Sequence, residues 1–348
     1  MVKVLFLTLY PDVAASSRYR VAQFVPYLES RGISCTVACP LTAPEWDALT
    51  GPNRRHRPFW YHARETVRRV GQILGARRYD VVFVQKAIMT AYVRGLPELL
   101  RAQARRLVYD MDDAVHLAPP HPLPPVCRPI EDRSQILRLF AMADLVLAGN
   151  AWLAEAAKGA GARVEHFPTV VDTNRFTPGP PQDAFRIGWI GNASTTVCLA
   201  PAAGALAAMR GSVRLVGADA ARVPFDGAEV APWSLDRELE TIRSFSAGIM
   251  PQPKEEWMRG KCALKALQYM ACSVPCVATP FGAVLEFMRH DENGIFADND
   301  AEWLDAFARL RDPALRRRIG EAGRATVEER YALCDAAPRL LGLLRSLP

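Results

Sequence analysis

Short apolar segments alternate with helical patterns in two successive series along this chain, and this alternation restricts the fold more than any other feature. The first series has apolar runs of strand length at Lys3–Leu9, Ile33–Cys39, Asp80–Gln85, Arg106–Asp110 and Asp144–Ala148. A helical pattern at Ser17–Arg31 follows the first of these runs. Strands that are apolar on both faces are typical of parallel sheets covered by helices, so the sequence predicts an α/β fold.

A proline-rich segment, Phe176-Thr-Pro-Gly-Pro-Pro-Gln-Asp183, separates the first series from the second. The second has strand patterns at Phe185–Ile190, Val213–Val216, Ala247–Met250 and Pro275–Thr279, and helical patterns at Thr195–Met209 and Lys261–Ala271. A chain of 348 residues is long enough for two domains of ordinary size. We therefore predict Rossmann-like domains over residues 1–176 and 177–331 that face a cleft.

The composition argues against several classes of protein. Half of the residues are hydrophobic and 23% are charged, as in folded globular proteins. No apolar run reaches the roughly 20 residues that a membrane span requires. The eight cysteines are scattered without a Cys-x-x-Cys pair, so we predict reduced thiols in a cytoplasmic protein and no metal site. A Gly-x-Gly-x-x-Gly turn is missing, which argues against a dinucleotide-dependent enzyme, and no cofactor is expected.

Positive charge is concentrated in the first half of the chain. Residues 1–176 contain 23 Lys and Arg against 16 Asp and Glu, so an anionic partner is expected there. Residues 54–78 form a basic arm with an apolar stripe of Val67, Val70, Ile73 and Leu74. Such a helix suits peripheral contact with the anionic inner face of a membrane; a helix packed on the sheet with a solvated basic side is the alternative. No nucleic-acid partner is predicted, because the arm lacks an interleaved aromatic platform.

Two strand-to-helix turns in the second domain suggest a phosphate site. The turn at Gly191 and Asn192 follows a strand and opens a helix, so its backbone amides can approach an anion. Further on, Arg259 and Lys261 stand at the start of a predicted helix, and Lys265 lies one turn later on the same face. Cations at a helix N-terminus oppose the helix dipole, and a bound diphosphate would compensate them. The alternative is that both lysines are solvated surface residues.

The segment from Met250 to Ala271, which includes Arg-Gly-Lys-Cys-Ala-Leu-Lys-Ala-Leu-Gln-Tyr-Met-Ala, resembles the donor half of glycosyltransferase family 4, a retaining family with the GT-B fold. Gly282-Ala-Val-Leu-Glu286 and Asp291-Glu-Asn-Gly-Ile-Phe-Ala297 fit the same half. Ser16-Ser-Arg-Tyr-Arg20 and Phe167-Pro-Thr-Val-Val-Asp172 fit the acceptor half. The resemblance also implies that a C-terminal helix in residues 332–348 packs on the first domain. The resemblance implies transfer of a sugar from a nucleoside-diphosphate sugar to an acceptor sugar, glycolipid or small molecule, with retention of anomeric configuration, in the biosynthesis of polysaccharides or related glycosides.

The resemblance also implies roles for residues of the second domain. Gly217 and Trp233 end strands of the family's nucleotide pocket, where Trp233 would stack on the base or fill the core. Gln268 aligns with a glutamate that contacts the donor ribose, and glutamine can still hydrogen-bond to hydroxyls. Gly282 and Glu286 resemble the loop whose backbone meets the donor sugar or phosphate. The remaining predicted donor contacts are Gly191, Asn192 and Arg259.

The chain departs from the family at a pair of glutamates eight positions apart. Gly260 and Gln268 occupy the two positions, and the family's usual Arg/Lys pair is missing from the turn after Gly191. Lys261 and Lys265 would then hold the diphosphate and assist its departure as catalytic groups. A catalytically degenerate GT-B nucleotide-sugar-binding protein is the main alternative. A nucleotide-sugar epimerase on the same fold would release free sugar without an acceptor.

Carboxylates and arginines mark the acceptor half. Asp112 and Asp113 belong to a group of three carboxylates at a strand end, where repulsion requires compensation by cations, hydrogen bonds or substrate. We predict that they are catalytic groups that bind sugar hydroxyls or hold a basic partner, with helix capping as the alternative. A metal ion could also compensate these carboxylates, but the resembled fold usually works without one. Arg18 and Arg20 follow the first strand and are predicted to bind a leaving or acceptor phosphate, although Arg20 also suits a surface position.

Overall fold

The computed structural model describes residues 2–50, 59–118, 129–180, 182 and 184–347, which form two compact units. The first unit comprises the chain up to Thr169, residues 260–262 and the segment from Cys334 onward. The second comprises residues 170–259 and 263–333. The chain therefore changes unit before the proline-rich segment, at residue 169 rather than at the predicted 176. That segment belongs to the second unit.

The first unit contains a six-stranded parallel sheet, as the alternating pattern predicts. Its strands are β1 (Val2–Leu7), β2 (Ile33–Ala38), β3 (Val81–Gln85), β4 (Leu107–Met111), β5 (Leu145–Ala148) and β6 (Val164–His166). They lie in the order β2-β1-β3-β4-β5-β6. Strands β3, β4 and β5 are buried along their whole length, which explains why their sequences are mostly apolar.

Seven α-helices alternate with these strands along the described part of the chain. They are α1 (Ala15–Arg20), α2 (Val25–Ser30), α3 (Ala43–Thr50), α4 (Phe59–Leu74), α5 (Leu96–Gln103), α6 (Gln135–Met142) and α7 (Ala151–Gly159). The prediction of one helix over Ser17–Arg31 is wrong, because a 3₁₀ turn at Ala22–Phe24 separates α1 from α2. Pro26 lies in the first turn of α2, where its missing N–H costs nothing, whereas inside a continuous helix it would break a hydrogen bond.

Helix α4 carries the described part of the basic arm; residues 51–58 lie outside the described ranges. Its predicted apolar stripe is divided between two faces, since Ile73 is buried while Val67 is 72% and Leu74 is 55% exposed. Arg69 is fully buried and donates to the carbonyl of Thr8 at 2.5 Å, so it does not contribute to a basic surface. The helix therefore packs through Ile73 and buried polar groups, and part of its apolar stripe faces outward.

The second unit contains another six-stranded parallel sheet. Its strands are β7 (Ile187–Ile190), β8 (Val213–Val216), β9 (Glu229–Ala231), β10 (Ala247–Met250), β11 (Cys276–Ala278) and β12 (Ile295–Phe296), in the order β12-β11-β10-β7-β8-β9. The apolar core on this sheet includes the fully buried side chains of Trp189, Trp303 and Phe307.

The helices of the second part of the chain differ from the prediction in two places. They are α8 (Ala203–Ala208), α9 (Glu238–Arg243), α10 (Glu256–Arg259), α11 (Leu264–Ala271), α12 (Asp300–Arg309), α13 (Pro313–Arg330) and α14 (Leu333–Arg345). A 3₁₀ segment at Ala193–Ala202 replaces the first half of the predicted helix Thr195–Met209, and Pro201 lies inside it. The other predicted helix begins at Leu264 instead of Lys261.

Helix α14 returns to the first unit, as predicted. Arg339 donates to the carbonyl of His166 at 2.7 Å, and Arg345 donates to the carbonyl of Arg31 at 2.8 Å. Among the described residues, no helix combines the length and the apolar character needed to cross a bilayer.

The strand order of each sheet fixes where a ligand can enter it. The direction of winding reverses between β1 and β3 in the first unit, and between β7 and β10 in the second. Loops diverge at such switch points and leave a crevice at the carboxyl ends of the strands. Below, the carboxyl edge of a sheet means the edge at which its parallel strands end.

Candidate functional site

The crevice of the second unit lies where β7 and β10 separate. These strands pair only through Ala247 with Ile187 and Gly248 with Gly188, although both continue further. Beyond the pairing, the N–H of Ile190 donates to the hydroxyl oxygen of Tyr269 at 3.0 Å. Tyr269 belongs to α11 and is fully buried, so its hydroxyl replaces a partner that the sheet does not supply.

Glycines shape the carboxyl edge beside this crevice. A Cβ on Gly191 would lie 2.2 Å from the ring of Trp189, and a Cβ on Gly217 would lie 2.3 Å from the carbonyl oxygen of Gly191. Gly217 also has φ +79, and its Cβ would lie 3.1 Å from the Cβ of Trp233. Only glycine fits such backbone contacts without displacement. Gly191, Gly217 and Trp233, all predicted donor contacts, therefore lie together.

Helix α11 starts at this edge without a capping side chain. Its N-cap residue, Ala263, has φ 53, a left-handed conformation that is costly for a residue with a Cβ. No side-chain hydrogen bond caps the helix, so the first-turn amides and the positive end of the helix dipole favour an anion. Lys265 lies in this first turn, with its Nζ 5.2 Å from the ring centroid of Trp189.

A second loop approaches the same edge from the end of β11. The side-chain amide of Gln252 donates to the carbonyl of Phe281 at 2.6 Å, and the guanidinium of Arg259 lies 5.6 Å from the Phe281 ring centroid. Gly282 follows with φ +69 and opens the 3₁₀ turn that ends at Glu286. These contacts bring Arg259 and Gly282, two predicted donor residues, close together.

Three other predicted donor residues differ in their contacts and in how exposed they are. Asn192 caps the 3₁₀ segment, because its Oδ1 accepts from the N–H groups of Ser194 at 3.0 Å and Thr195 at 3.1 Å. Gln268 lies on α11 and is 3% exposed. Glu286 is half-buried, and its carbonyl accepts from Arg330 at 3.4 Å.

In the first unit, Arg20 forms a buried ion pair with Asp110. Its Nε lies 3.0 Å from the nearer carboxylate oxygen, and its Nη1 donates to the carbonyl of Phe167 at 2.9 Å. Burial alone would lower the pKa of Arg20, but the Asp110 carboxylate raises that pKa above its usual value. Since Arg20 is 2% exposed and its charge is compensated, it fits neither the predicted phosphate contact nor a surface position. Arg18, by contrast, is half-buried and donates to the carbonyl of Val13 at 3.2 Å.

Asp113 holds two lysines at the carboxyl edge of the first sheet. The Nζ atoms of Lys86 and Lys261 each lie 2.8 Å from its Oδ2. Burial raises the pKa of Asp113, but the two ammonium groups outweigh it and hold that pKa well below its usual range. Asp113 therefore has the basic partner that the sequence left as one of its roles.

The contact of Lys261 with Asp113 corrects the central sequence prediction. Lys261 precedes α11 and groups with the first unit, whereas Lys265 lies on α11 in the second. The prediction that the two lysines share one helical face is therefore wrong. The short segment around Lys261 is fixed by close packing, since a Cβ on Gly260 would lie 2.4 Å from the N atom of Ala114.

Asp112 is the more accessible carboxylate of the same strand end. Ser16 donates its hydroxyl to Asp112, and the side-chain amide of Gln85 donates to Asp112 at 3.3 Å and to Ser16 at 2.6 Å. Asp112 is half-buried, so this network orients its carboxylate without enclosing it. The switch point between β1 and β3 thus carries a positioned acceptor of hydrogen bonds.

Sequence reasoning missed several residues of these edges. Gln85 and Lys86 end β3, where a polar ending of an apolar strand was a usable signal. Tyr269 and Trp189 looked like ordinary core residues, and only the separation of β7 and β10 reveals their position. Within the described residues, no cluster of three or more His, Cys, Asp and Glu is arranged to hold a metal ion.

Comparison with known proteins places this geometry in context. Residues 213–312 match the family model described as glycosyl transferases group 1. Sucrose-phosphate synthase from Thermosynechococcus elongatus aligns with a TM-score of 0.73 and 16% identity over 100% of this chain and 99% of its own. Anabaena HepE, solved with UDP-glucose, aligns with a TM-score of 0.70 and 15% identity over 100% of both chains.

A glycosyltransferase from Rickettsia africae aligns with a TM-score of 0.67 and 13% identity over 99% of this chain and 98% of its own. No protein with a curated description matches the sequence. At these identities the structural likeness establishes the fold. The fold is GT-B, as predicted, and the match of residues 213–312 supports a glycosyltransferase.

Proposed function

We propose that this protein transfers a sugar from a nucleoside-diphosphate sugar to an acceptor, with retention of anomeric configuration. The start of α11 carries the proposal: an uncapped helix N-terminus, a left-handed residue and a first-turn lysine meet at the switch point of the second sheet. Non-glycine residues in the left-handed region cost about 1–3 kcal/mol and are concentrated at functional sites. A diphosphate is the ligand that matches these amides and this charge.

The nucleoside would lie over the glycine turns beside that helix. Gly191 and Gly217 leave the backbone of β7 and β8 accessible, and half-buried Trp233 offers a ring beside Gly217 for the base. Gln268 is assigned to the ribose and Arg259, Gly282 and Glu286 to the sugar or phosphate. The family-model match at residues 213–312 includes most of these positions, and the complex of HepE with UDP-glucose makes UDP-glucose the first donor to test.

The acceptor is assigned to the carboxyl edge of the first sheet. Asp112 is oriented by Ser16 and Gln85, so it can accept a hydrogen bond from a sugar hydroxyl. Arg18 is the candidate for an anionic group on the acceptor. Lys261 and Asp113 are assigned to support of this edge instead of direct contact with the diphosphate, because they form an ion pair with each other.

In this proposal the configuration is retained because the acceptor attacks the sugar from the same face that the diphosphate leaves. No side chain is assigned as a covalent nucleophile. The leaving diphosphate, stabilised by Lys265 and the first-turn amides of α11, would itself accept the proton of the acceptor hydroxyl. The bond between the sugar and the diphosphate breaks as the new glycosidic bond forms on the same face.

A degenerate member that binds nucleotide sugars without turnover remains the second candidate. Gln268 and Gly260 stand where the resembled family has its glutamate pair. A side chain at position 260 would require the backbone around Ala114 to shift, because a Cβ there would lie 2.4 Å from the Ala114 N atom.

Turnover assays separate the two candidates. The protein is first screened for thermal stabilisation by UDP, GDP, TDP and ADP, and the matching sugar nucleotides are then incubated with acceptor glycosides. We expect acceptor-dependent release of nucleoside diphosphate and a product whose anomeric proton coupling in NMR matches that of the donor. Asp112→Asn should lower kcat at least about tenfold while leaving donor binding unchanged. Stabilisation by a nucleotide without any turnover would support the degenerate candidate, and an inverted product would overturn retention.

We also propose that α4 touches an anionic membrane. Val67 and Leu74 are exposed. Arg64, one helical turn before Val67, has a side chain that is 57% exposed and lies 3.8 Å from a carboxylate oxygen of Glu45. This combination of outward apolar and basic groups suits a headgroup surface. Flotation with vesicles containing anionic lipid should recover the protein at low salt, and Val67→Glu should abolish that recovery. Absence of flotation at low salt would remove this contact from the proposal.

A further inference from the structure

A basic cavity lies in the second unit, at the edge of the sheet opposite its carboxyl edge. It has a volume of about 450 Å³, within the range of sites for small organic ligands. Ser246 and Pro275 line it, and they immediately precede β10 and β11. The cavity therefore opens where these strands begin, whereas the proposed donor site lies where they end. One strand of four residues, roughly 13 Å, separates the two edges.

The lining of this cavity is positively charged. Four arginines line it against two glutamates, namely Arg243, Arg316, Arg317, Arg324, Glu321 and Glu328. Two of these residues form an ion pair with each other, with Arg324 Nη2 2.6 Å from Glu328 Oε1. The lining residues thus carry an excess of two positive charges.

Two of the arginines are held in place by neutral groups. Arg243 donates from Nε to the carbonyl of Thr177 at 2.7 Å, and Arg316 donates from Nη1 to the carbonyls of Leu310 and Arg311, each at 2.8 Å. Carbonyl groups orient a guanidinium without cancelling its charge. Gly179 permits the approach of the chain to Arg243, since its Cβ would lie 2.7 Å from that of the arginine. These charges are therefore ordered before any ligand arrives.

We propose that this cavity binds a small molecule that carries a phosphate group. A phosphate brings up to two negative charges and several acceptor oxygens, which match the excess charge and the planar donors of the arginines. Pro178, Pro180 and Phe245 supply apolar walls for an organic portion. The site is independent of the proposed donor site, because no residue assigned to the donor lines it.

Calorimetric titration with phenyl phosphate and with inorganic phosphate, at constant ionic strength in chloride buffer, tests the site. Arg317→Glu should weaken binding of both probes about tenfold, and Glu321→Gln should strengthen it a few-fold. Arg317 is exposed on α13, so its replacement should not impair folding. Arg318→Glu is the matched control, because the neighbouring residue has the same charge but does not line the cavity.

The outcomes decide the proposal and identify the ligand. Tighter binding of phenyl phosphate assigns the cavity to phosphate esters, and equal binding of both probes assigns it to free phosphate. Lys265→Ala, at the carboxyl edge, should leave unchanged the loss of affinity that Arg317→Glu causes for each probe, so failure here and failure of the donor site are distinguishable. The proposal is overturned if neither probe binds, or if Arg317→Glu and Arg318→Glu weaken binding equally.

Discussion

The carboxyl edges of the two sheets are equivalent positions in the two units, but they are built from different groups. In the first unit the edge is made of charged side chains that compensate one another, with Arg20 on Asp110 and two lysines on Asp113. In the second unit it is made of glycine turns and the start of α11. An edge whose charges are already compensated has little need of a ligand to balance it. An edge made of exposed backbone and a helix N-terminus gains stability when an anion binds.

The comparison predicts that removal of one charge from the first edge destabilises the fold. Asp113→Asn leaves the buried ammonium of Lys86 without its carboxylate and should lower the free energy of unfolding by about 3 kcal/mol at neutral pH. The measurement is urea denaturation of the wild-type protein and the variant.

The same pair of proteins gives a pH test. The pKa of Asp113 in the folded state lies below its unfolded value, so its stabilising effect is complete above that unfolded value, about 4. It is lost as the pH falls from there toward the folded pKa. The stability difference between wild type and Asp113→Asn should therefore be constant near neutrality and shrink below about pH 4. A difference that grows on acidification would contradict the assigned ion pairs.

A sharper contrast comes from adding one methyl group to the second edge. Gly217→Ala places a Cβ 2.3 Å from the carbonyl oxygen of Gly191 at a φ of +79. We expect a loss of about 2–4 kcal/mol in unfolding free energy, because both the backbone conformation and the contact are unfavourable. Gly211→Ala is the matched control: it has φ +76 but nothing within 4 Å of its Cβ, so only the conformational part should appear. Equal losses in the two variants would show that the close contact with Gly191 has no energetic weight.

The smallest expected effect concerns the separation of β7 from β10. Tyr269→Phe removes the hydroxyl that accepts from the N–H of Ile190 and should cost about 1–2 kcal/mol, since the buried amide is left without its acceptor. Hydrogen exchange of the Ile190 amide should accelerate at the same time. Unchanged stability and exchange would mean that the hydroxyl does not replace a strand partner there.

The sequence was sufficient for the parts of this fold that depend on local pattern. Continuous apolar runs located most of the strands, whereas the return of α14 was expected only from the resemblance to the GT-B fold. Pro26 and Pro201 interrupt two predicted helices for local reasons that a closer reading of the sequence could have found.

Long-range pairing could not be read in the same way. Arg20 and Asp110 are 90 residues apart, and Lys261 and Asp113 are 148 apart. Nothing in the local pattern indicates that residues 260–262 leave the unit on either side of them in sequence. The candidate site therefore differs from the one predicted from the sequence. Lys265 lies at the donor edge, whereas Lys261 and Arg20 form ion pairs with carboxylates.

Binding of UDP by a Lys265 variant tests the donor edge most directly. Calorimetric titration should show UDP affinity at least about tenfold weaker in Lys265→Ala than in the wild type, because the variant loses the charge beside the first-turn amides of α11. Lys158→Ala, which removes an exposed lysine of α7 in the first unit, should bind UDP like the wild type. If Lys265→Ala retained full affinity for UDP while the wild type bound it, the diphosphate would not lie at the start of α11 and the proposed donor site would be wrong.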